Sequence, residues 1–209
     1  MEDCCVHYVE FGVRNGDENV RRFIQHYKFE LAATRKTEQL KQWVLTSGIA
    51  TVLLTQQELS LVDAVQDKYS VGWSPGGQNE GSNTSTCAID SVYNVALKVR
   101  DLTKCVDKLS RSGVTILKPI TKVADSHGSV RMAMVRSCLG NVVHTLIDDS
   151  DYKGVFLPEF EIEDKYIPGG SELVTHFDHV TFACDCGDSG RIIDWYANNF
   201  GMRRFLINK

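Results

Sequence analysis

The 209-residue sequence lacks four things that would each define a class: a basic excess, a long apolar run, a leader segment and a cysteine framework. Net charge is -4, so no basic surface recommends nucleic acid or an anionic membrane as partner. No apolar run approaches the ~20 residues that span a bilayer. The start, Met1-Glu2-Asp3-Cys4-Cys5, is acidic and enters a strand-like run at once. That is the layout of neither a secretory signal nor a transit peptide. The expected location is therefore intracellular: cytoplasmic, or mitochondrial through a signal of another kind. Seven cysteines are an odd number without framework spacing. Most read as reduced core residues, Cys105 on a helical apolar stripe and Cys184 in an apolar run. Cys184-Asp185-Cys186 has no second pair nearby to complete a metal site. Asn83-Thr84-Ser85 matches a glycosylation acceptor but reads as plain loop without a secretory signal.

What is present is one phrase written three times. His7 to Phe11 leads into Val20, Phe23, Ile24 and Tyr27. Asn94 to Leu97 leads into Leu102, Cys105, Val106 and Leu109. His179 to Phe182 leads into Ile192, Trp195, Tyr196 and Phe200. Each is a strand-like run followed by apolar residues at helical spacing. The pattern predicts strands over 5–13, 29–36, 40–47 and 50–55 with a helix over 17–27, capped by Asp17. It predicts strands over 92–99, 114–118, 129–137 and 141–148 with a helix over 102–111, capped by Asp101 and ended by Gly113. Ordinary apolar (43%) and charged (24%) fractions suit a globular core. Two βαβββ units, 1–56 and 91–150, close a cup-shaped barrel with helices outside, joined by a Gly- and Ser-rich surface loop over 57–90. The fold class is α+β. Residues 151–175 read as a linker. Residues 176–209 open a third unit with a strand over 176–185, a helix over 189–199 and a strand from 202 to 208. Such an opening, with no partner unit, is expected to be disordered, to dock on the first barrel or to drive association.

The first strand of each unit sends alternate side chains into the cup. That parity points His179 inward in the third unit, with His7 and Asn94 at matching places in the first two. Asp178 then points the other way, as a structural residue. His7 and His144 both face the first cup in this reading, without a carboxylate in the neighbouring runs at 49–54 and 94–97. His26, His127 and His176 read as solvated, and Trp195 and Tyr196 as core. Spacing alone makes His179 a buried histidine satisfied by hydrogen bonds.

Asp148-Asp149-Ser150-Asp151-Tyr152-Lys153-Gly154-Val155-Phe156-Leu157-Pro158, preceded by His144-Thr145-Leu146, resembles the end of the N-terminal barrel of the 4-hydroxyphenylpyruvate dioxygenases. So does the later strand Phe177-Asp178-His179-Val180, with the Trp195-Tyr196 helix and Met202-Arg203-Arg204-Phe205 after it. The wording Cys184-Asp185-Cys186-Gly187 is nearer the divergent dioxygenase-like branch. The resemblance covers nearly the whole chain, and its specific parts are the Tyr152-to-Pro158 segment and the Asp178-His179 pair.

The resemblance implies paired βαβββ modules in a vicinal-oxygen-chelate barrel, followed by the start of a second, catalytic barrel. It implies an Fe(II) site of two histidines and one carboxylate, with His179 as the first ligand and the other two beyond Lys209. Three ligands on one face leave positions for a 2-oxo acid and O2. The implied reaction is oxidative decarboxylation and hydroxylation of an aromatic 2-oxo acid in tyrosine metabolism, with O2 as co-substrate. In the family the first barrel carries no iron and serves as scaffold and assembly surface, so homo-oligomers belong to the expectation. One ligand of three makes the 209-residue chain inactive by itself. The competing reading is a non-catalytic scaffold or binding module that keeps the first barrel only.

Overall fold

The computed structural model describes residues 4–57, 67–71, 90–140, 142–167 and 173–204. The first unit is β1 (Cys5–Gly12), α1 (Gly16–Tyr27), β2 (Glu30–Lys36), β3 (Leu40–Ser47) and β4 (Ala50–Gln57). The second is β5 (Ser91–Lys98), α2 (Leu102–Arg111), β6 (Ile116–Asp125), β7 (Gly128–Arg136) and β8 (Val143–Asp148). A two-residue β9 (Glu161–Ile162) and α3 (Ser189–Phe200) follow. One sheet runs β6-β7-β8-β5-β1-β4-β3-β2-β9. Its centre is the antiparallel β1/β5 pair, flanked by parallel β1/β4 and β5/β8 pairs. The two halves repeat one topology, and the curled sheet is that of the vicinal-oxygen-chelate fold.

Local chemistry sets the helix ends. The N-cap of α1 is Asn15, whose side chain accepts from the Glu18 backbone N–H at 3.1 Å. Asp17 instead lies in the first turn, where its charge meets the positive end of the helix dipole. Asp101 caps α2 by accepting from Lys104 N–H at 3.0 Å, and Gly113, at φ +78°, turns the chain out of it. Gly16 lies where a Cβ would come within 2.1 Å of the Trp43 ring. Gly16→Ala is therefore expected to cost about 1–3 kcal/mol by overpacking, read as a lower urea midpoint with unchanged slope; a midpoint equal to the parent's would remove Trp43 as the reason for glycine here.

The three largest apolar clusters follow from strand alternation. Tyr8, Val44, Leu53, Ala96, Met132 and Ile147 fill the inside of the cup. Val20 of α1 packs with Phe29, Leu45, Val52 and Leu54 beneath it. Leu109 of α2 packs with Val95, Leu97, Val135 and Leu146 of the sheet, and Ile192, Tyr196 and Phe200 of α3 join them. The third-unit helix thus docks on the outer face of the second unit.

Several expectations change. Residues 176–185 form no strand, because no neighbouring strand among the described residues offers them a ladder. Residues 202–204 are not a strand either, and 205–208 lie outside the described residues, as do Cys87 and Asn83-Thr84-Ser85. Six described cysteines are free; Cys105 is buried, but Cys184 is exposed rather than core. Residues 67–71 are not surface loop: Asp67, Tyr69 and Ser70 are buried. Phe156 and Leu157 enter the cup, and β9 pairs with β2. The cup is filled by the chain itself. No helix among the described residues is long and apolar enough to cross a membrane.

Candidate functional site

Two bulges decide what β1 and β5 send into the cup. The β1/β5 register slips between Val6 and Tyr8, and again where Glu10 faces Asn94 but Phe11 faces Val92. Bulges re-aim side chains. Here the first puts Tyr8 and Glu10 inside and leaves His7 at the rim, against the Tyr8 and Phe156 rings. His7 Nε2 meets Asp149 Oδ2 at 3.4 Å, and Lys98 reaches the other oxygen at 2.6 Å. These contacts hold the Asp149 carboxyl well below the usual carboxylate range, His7 being the largest influence. A group lowered this way stabilises the fold above about pH 4 and loses that contribution as pH falls. Asp149→Asn should therefore flatten the acid limb of the stability curve; an unchanged slope below pH 4 would show the pair idle.

Glu10, which the periodicity does not single out, is the centre of the cup. It is fully buried. One oxygen accepts from the Thr55 and Tyr93 hydroxyls, each at 2.6 Å, and the other from Asn94 Nδ2 at 2.7 Å. Asn94 Nδ2 also reaches Thr145 Oγ1 at 2.8 Å, and its carbonyl accepts from Thr145 N–H at 3.0 Å. Behind Thr55 the chain continues: Gln42 donates to Thr55 at 3.1 Å and Arg35 donates to Gln42 at 2.8 Å. Arg35 in turn grips Asp67 at 2.7 and 3.3 Å. From Arg35 onward each donor points towards Glu10, so the bonds polarise one another. Burial pushes the Glu10 carboxyl up, and its three donors pull it back. Three protein donors thus occupy most of the carboxylate's acceptor positions, two on one oxygen and one on the other.

His144 does not face the cup. It is on the opposite face of β8 from Thr145, among Trp195, Tyr196 and Phe200. Its Nδ1 is 2.9 Å from the Val95 carbonyl and its Nε2 is 2.9 Å from the Tyr196 hydroxyl. A carbonyl only accepts, so Nδ1 carries the proton and Tyr196 donates to Nε2. His7 and His144 are thus on opposite faces of the sheet and form no joint site. Burial takes the His144 pKa from the ordinary value down to about 4. Below pH ~6.5 an undocked, hydrated His144 takes a proton that the buried one refuses, so docking of α3 is fully supported above that pH and weakens down to about 4. Hydrogen-exchange protection across 189–200 should fall on the order of ten-fold between pH 7 and 5, relative to β7. Equal protection at both pH values would contradict this.

His179 has the opposite setting. Its side chain is 74% exposed and its Nδ1 is 2.8 Å from Asp178 Oδ2. Asp178, read as turned away from it, is its partner, and the contact lowers the Asp178 carboxyl. A carboxylate on Nδ1 fixes the tautomer that leaves Nε2 as a lone-pair donor. Yet no group of three His, Cys, Asp or Glu among the described residues could hold a metal. The residues present do not fit a complete iron site. Beside this segment is a cavity of about 800 Å3, whose walls include Leu97, His144, Phe182, Ile193, Arg203 and Arg204. His26, His127 and His176 are exposed, as expected.

No protein-family model matches the chain. Among curated proteins, it is 27% identical over 203 residues to the 4-hydroxyphenylpyruvate dioxygenase-like protein of Rattus norvegicus, covering 96% of this chain and 49% of the relative. The human protein of the same description is 26% identical over 196 residues, covering 93% and 48%. The 4-hydroxyphenylpyruvate dioxygenase of Caenorhabditis briggsae is 42% identical over 120 residues, covering 56% of this chain and 30% of the relative. The chain spans about half the length of the dioxygenase-like relatives it matches. Among solved structures, a triple mutant of 4-hydroxymandelate synthase from Streptomyces coelicolor superposes with a TM-score of 0.73, covering 99% of this chain and 55% of that one, at 18% identity. That likeness is one of fold.

Proposed function

We propose, from the likeness of this chain to 4-hydroxyphenylpyruvate dioxygenases and dioxygenase-like proteins, that it is the N-terminal half of a non-haem Fe(II) oxygenase acting on an aromatic 2-oxo acid. Residues 1–150 are the scaffold barrel in this reading, 151–175 the connection, and 176–209 the opening of the catalytic barrel. The observation that carries it is the contrast between two sites. The cup of the first barrel is packed with its own side chains around Glu10, which accepts three hydrogen bonds from within the chain. His179 is exposed, with a carboxylate orienting it and a free nitrogen. Among the described residues the first is occupied by the chain's own side chains; the second is one ligand waiting for others.

In a protein of the relatives' full length, His179 supplies one of three metal ligands and Asp178 holds its ring. The iron would supply the binding of the 2-oxo acid and the activation of O2. The residues described here do the rest: they build the barrel on which α3 docks, and His144 and Tyr196 fix that docking. Cytoplasmic or mitochondrial residence and self-association belong to the same proposal, as does tyrosine metabolism. The test is oxygen consumption by a protein of that length with 4-hydroxyphenylpyruvate. Turnover with oxidative decarboxylation supports the reading. A full-length protein that holds iron yet leaves every aromatic 2-oxo acid untouched favours the scaffold reading instead.

A further inference from the structure

Among the described residues Arg35 and Asp67 form the most buried ion pair, and they stand apart from any catalytic role. Each side chain is 6% exposed. The guanidinium meets both carboxylate oxygens, at 2.7 and 3.3 Å. Its geometry is set by other partners. Gln42 accepts from Nη1 at 2.8 Å, and Gln42 is itself anchored to Thr55. The Tyr69 and Phe160 rings lie 4.8 and 5.9 Å from its central carbon. Glu159 stands off at 3.8 Å from Nε. Gln42 and its anchor Thr55 are on β3 and β4, Glu159 and Phe160 are on the connection after β8, and Tyr69 is on the Asp67 segment, so the partners of the guanidinium other than Asp67 and Tyr69 do not depend on the Asp67 carboxylate. Asp67 arrives differently, on residues 67–71, which belong to no strand. That segment is tied by Lys118 to the Asp67 carbonyl, by Tyr69 OH to the Pro158 carbonyl at 2.8 Å, and by Ser70 to Tyr93 at 3.1 Å.

A fixed arginine fork met by a carboxylate on an irregular segment is the arrangement of a bound ligand. Stability does not require it, because well-packed apolar residues do as well as a buried ion pair. Arginine presents a planar fork that a carboxylate matches with two parallel bonds. We propose that the cup of the first barrel is a carboxylate-binding site, and that the chain fills it with its own Asp67. The ligand class is a small monocarboxylate. The site is independent of His179 and of the proposed oxygenase reaction.

Removing Asp67 should make the site accessible to carboxylate from solution. The experiment uses the full 209-residue chain carrying Asp67→Ala together with Glu159→Gln, which prevents the nearby Glu159 from substituting. Thermal unfolding is followed in sodium acetate against sodium chloride at equal ionic strength. Acetate should raise the Tm of this variant by on the order of 2–5 °C over chloride, in a saturable way. Parent protein, with the site filled, should show no acetate-specific shift. Nor should the same variant with Arg35→Gln added, which lacks the fork. Asp67→Asn keeps the space filled and should be destabilised without responding to acetate. If the alanine variant does not fold in chloride, the yield on refolding into acetate reads the same site. No acetate-specific gain in Tm or yield, or an equal gain with Arg35→Gln, overturns the proposal.

Discussion

Glu10→Ala is expected to lower the unfolding free energy by about 3–5 kcal/mol. Three donors, from Thr55, Tyr93 and Asn94, lose their acceptor inside the cup, and each orphaned buried donor costs roughly 1–3 kcal/mol. The vacated volume adds to this. Relief from burying a carboxylate takes some of it back, which keeps the total below the sum of the parts. Glu10→Gln separates shape from charge. Its oxygen can serve either Asn94 or the two hydroxyls but not both, so a cost of about 1–2 kcal/mol is expected. Urea unfolding followed by circular dichroism measures both. A Glu10→Ala variant within 1 kcal/mol of the parent would show that the polar chain from Arg35 to Glu10 does not hold the barrel.

The second large effect is on activity and leaves the fold alone. In a protein of the relatives' length, His179→Ala should lower oxygen consumption with 4-hydroxyphenylpyruvate by at least about 1000-fold, an extent in keeping with loss of a group that positions catalytic charge. Metal coordinated by three groups loses both its affinity and its geometry when one is removed. The stability change should stay within about ±0.5 kcal/mol, because an exposed side chain with one neighbouring partner contributes little. Asp178→Asn should cost less, since it alters how the ring is held rather than whether it is there. Undiminished turnover in His179→Ala would mean the ligand is elsewhere.

These two residues also show what the amino-acid order made legible. Both βαβββ units could be read because their strands alternate and their helices keep the 3.6 period, and Asp101 and Gly113 punctuate α2 as such residues do. Glu10 escaped because it sits alone in the apolar run Tyr8-Val9-Glu10-Phe11. Alternation counted from an inward His7 sends Glu10 outward, and only the bulge between Val6 and Tyr8 shifts the count and brings it into the cup. His144 was misplaced by one residue of parity, which in a strand is a whole change of face. Asp17 and Asn15 are both residue types that cap helices, and the Asn15 φ of -130° decides between them only in three dimensions. Residues 67–71 look like loop in composition, yet Asp67 and Tyr69 fill the cup; a tertiary ion pair leaves no local periodicity. The strand expected over 176–185 has the right alternation and no ladder to join.

The claim that joins these observations is a division of labour: a first barrel closed around its own side chains, and a metal site begun at His179. Iron content per chain after gel filtration tests it most directly, in the 209-residue chain and in a protein of the relatives' full length. The short chain is expected to retain no stoichiometric iron. The long one is expected to retain about one per chain, lost in His179→Ala and kept in Glu10→Gln. Stoichiometric iron on the short chain, or iron on the long one that survives His179→Ala and disappears with Glu10→Gln, would place the metal in the first cup and contradict the account.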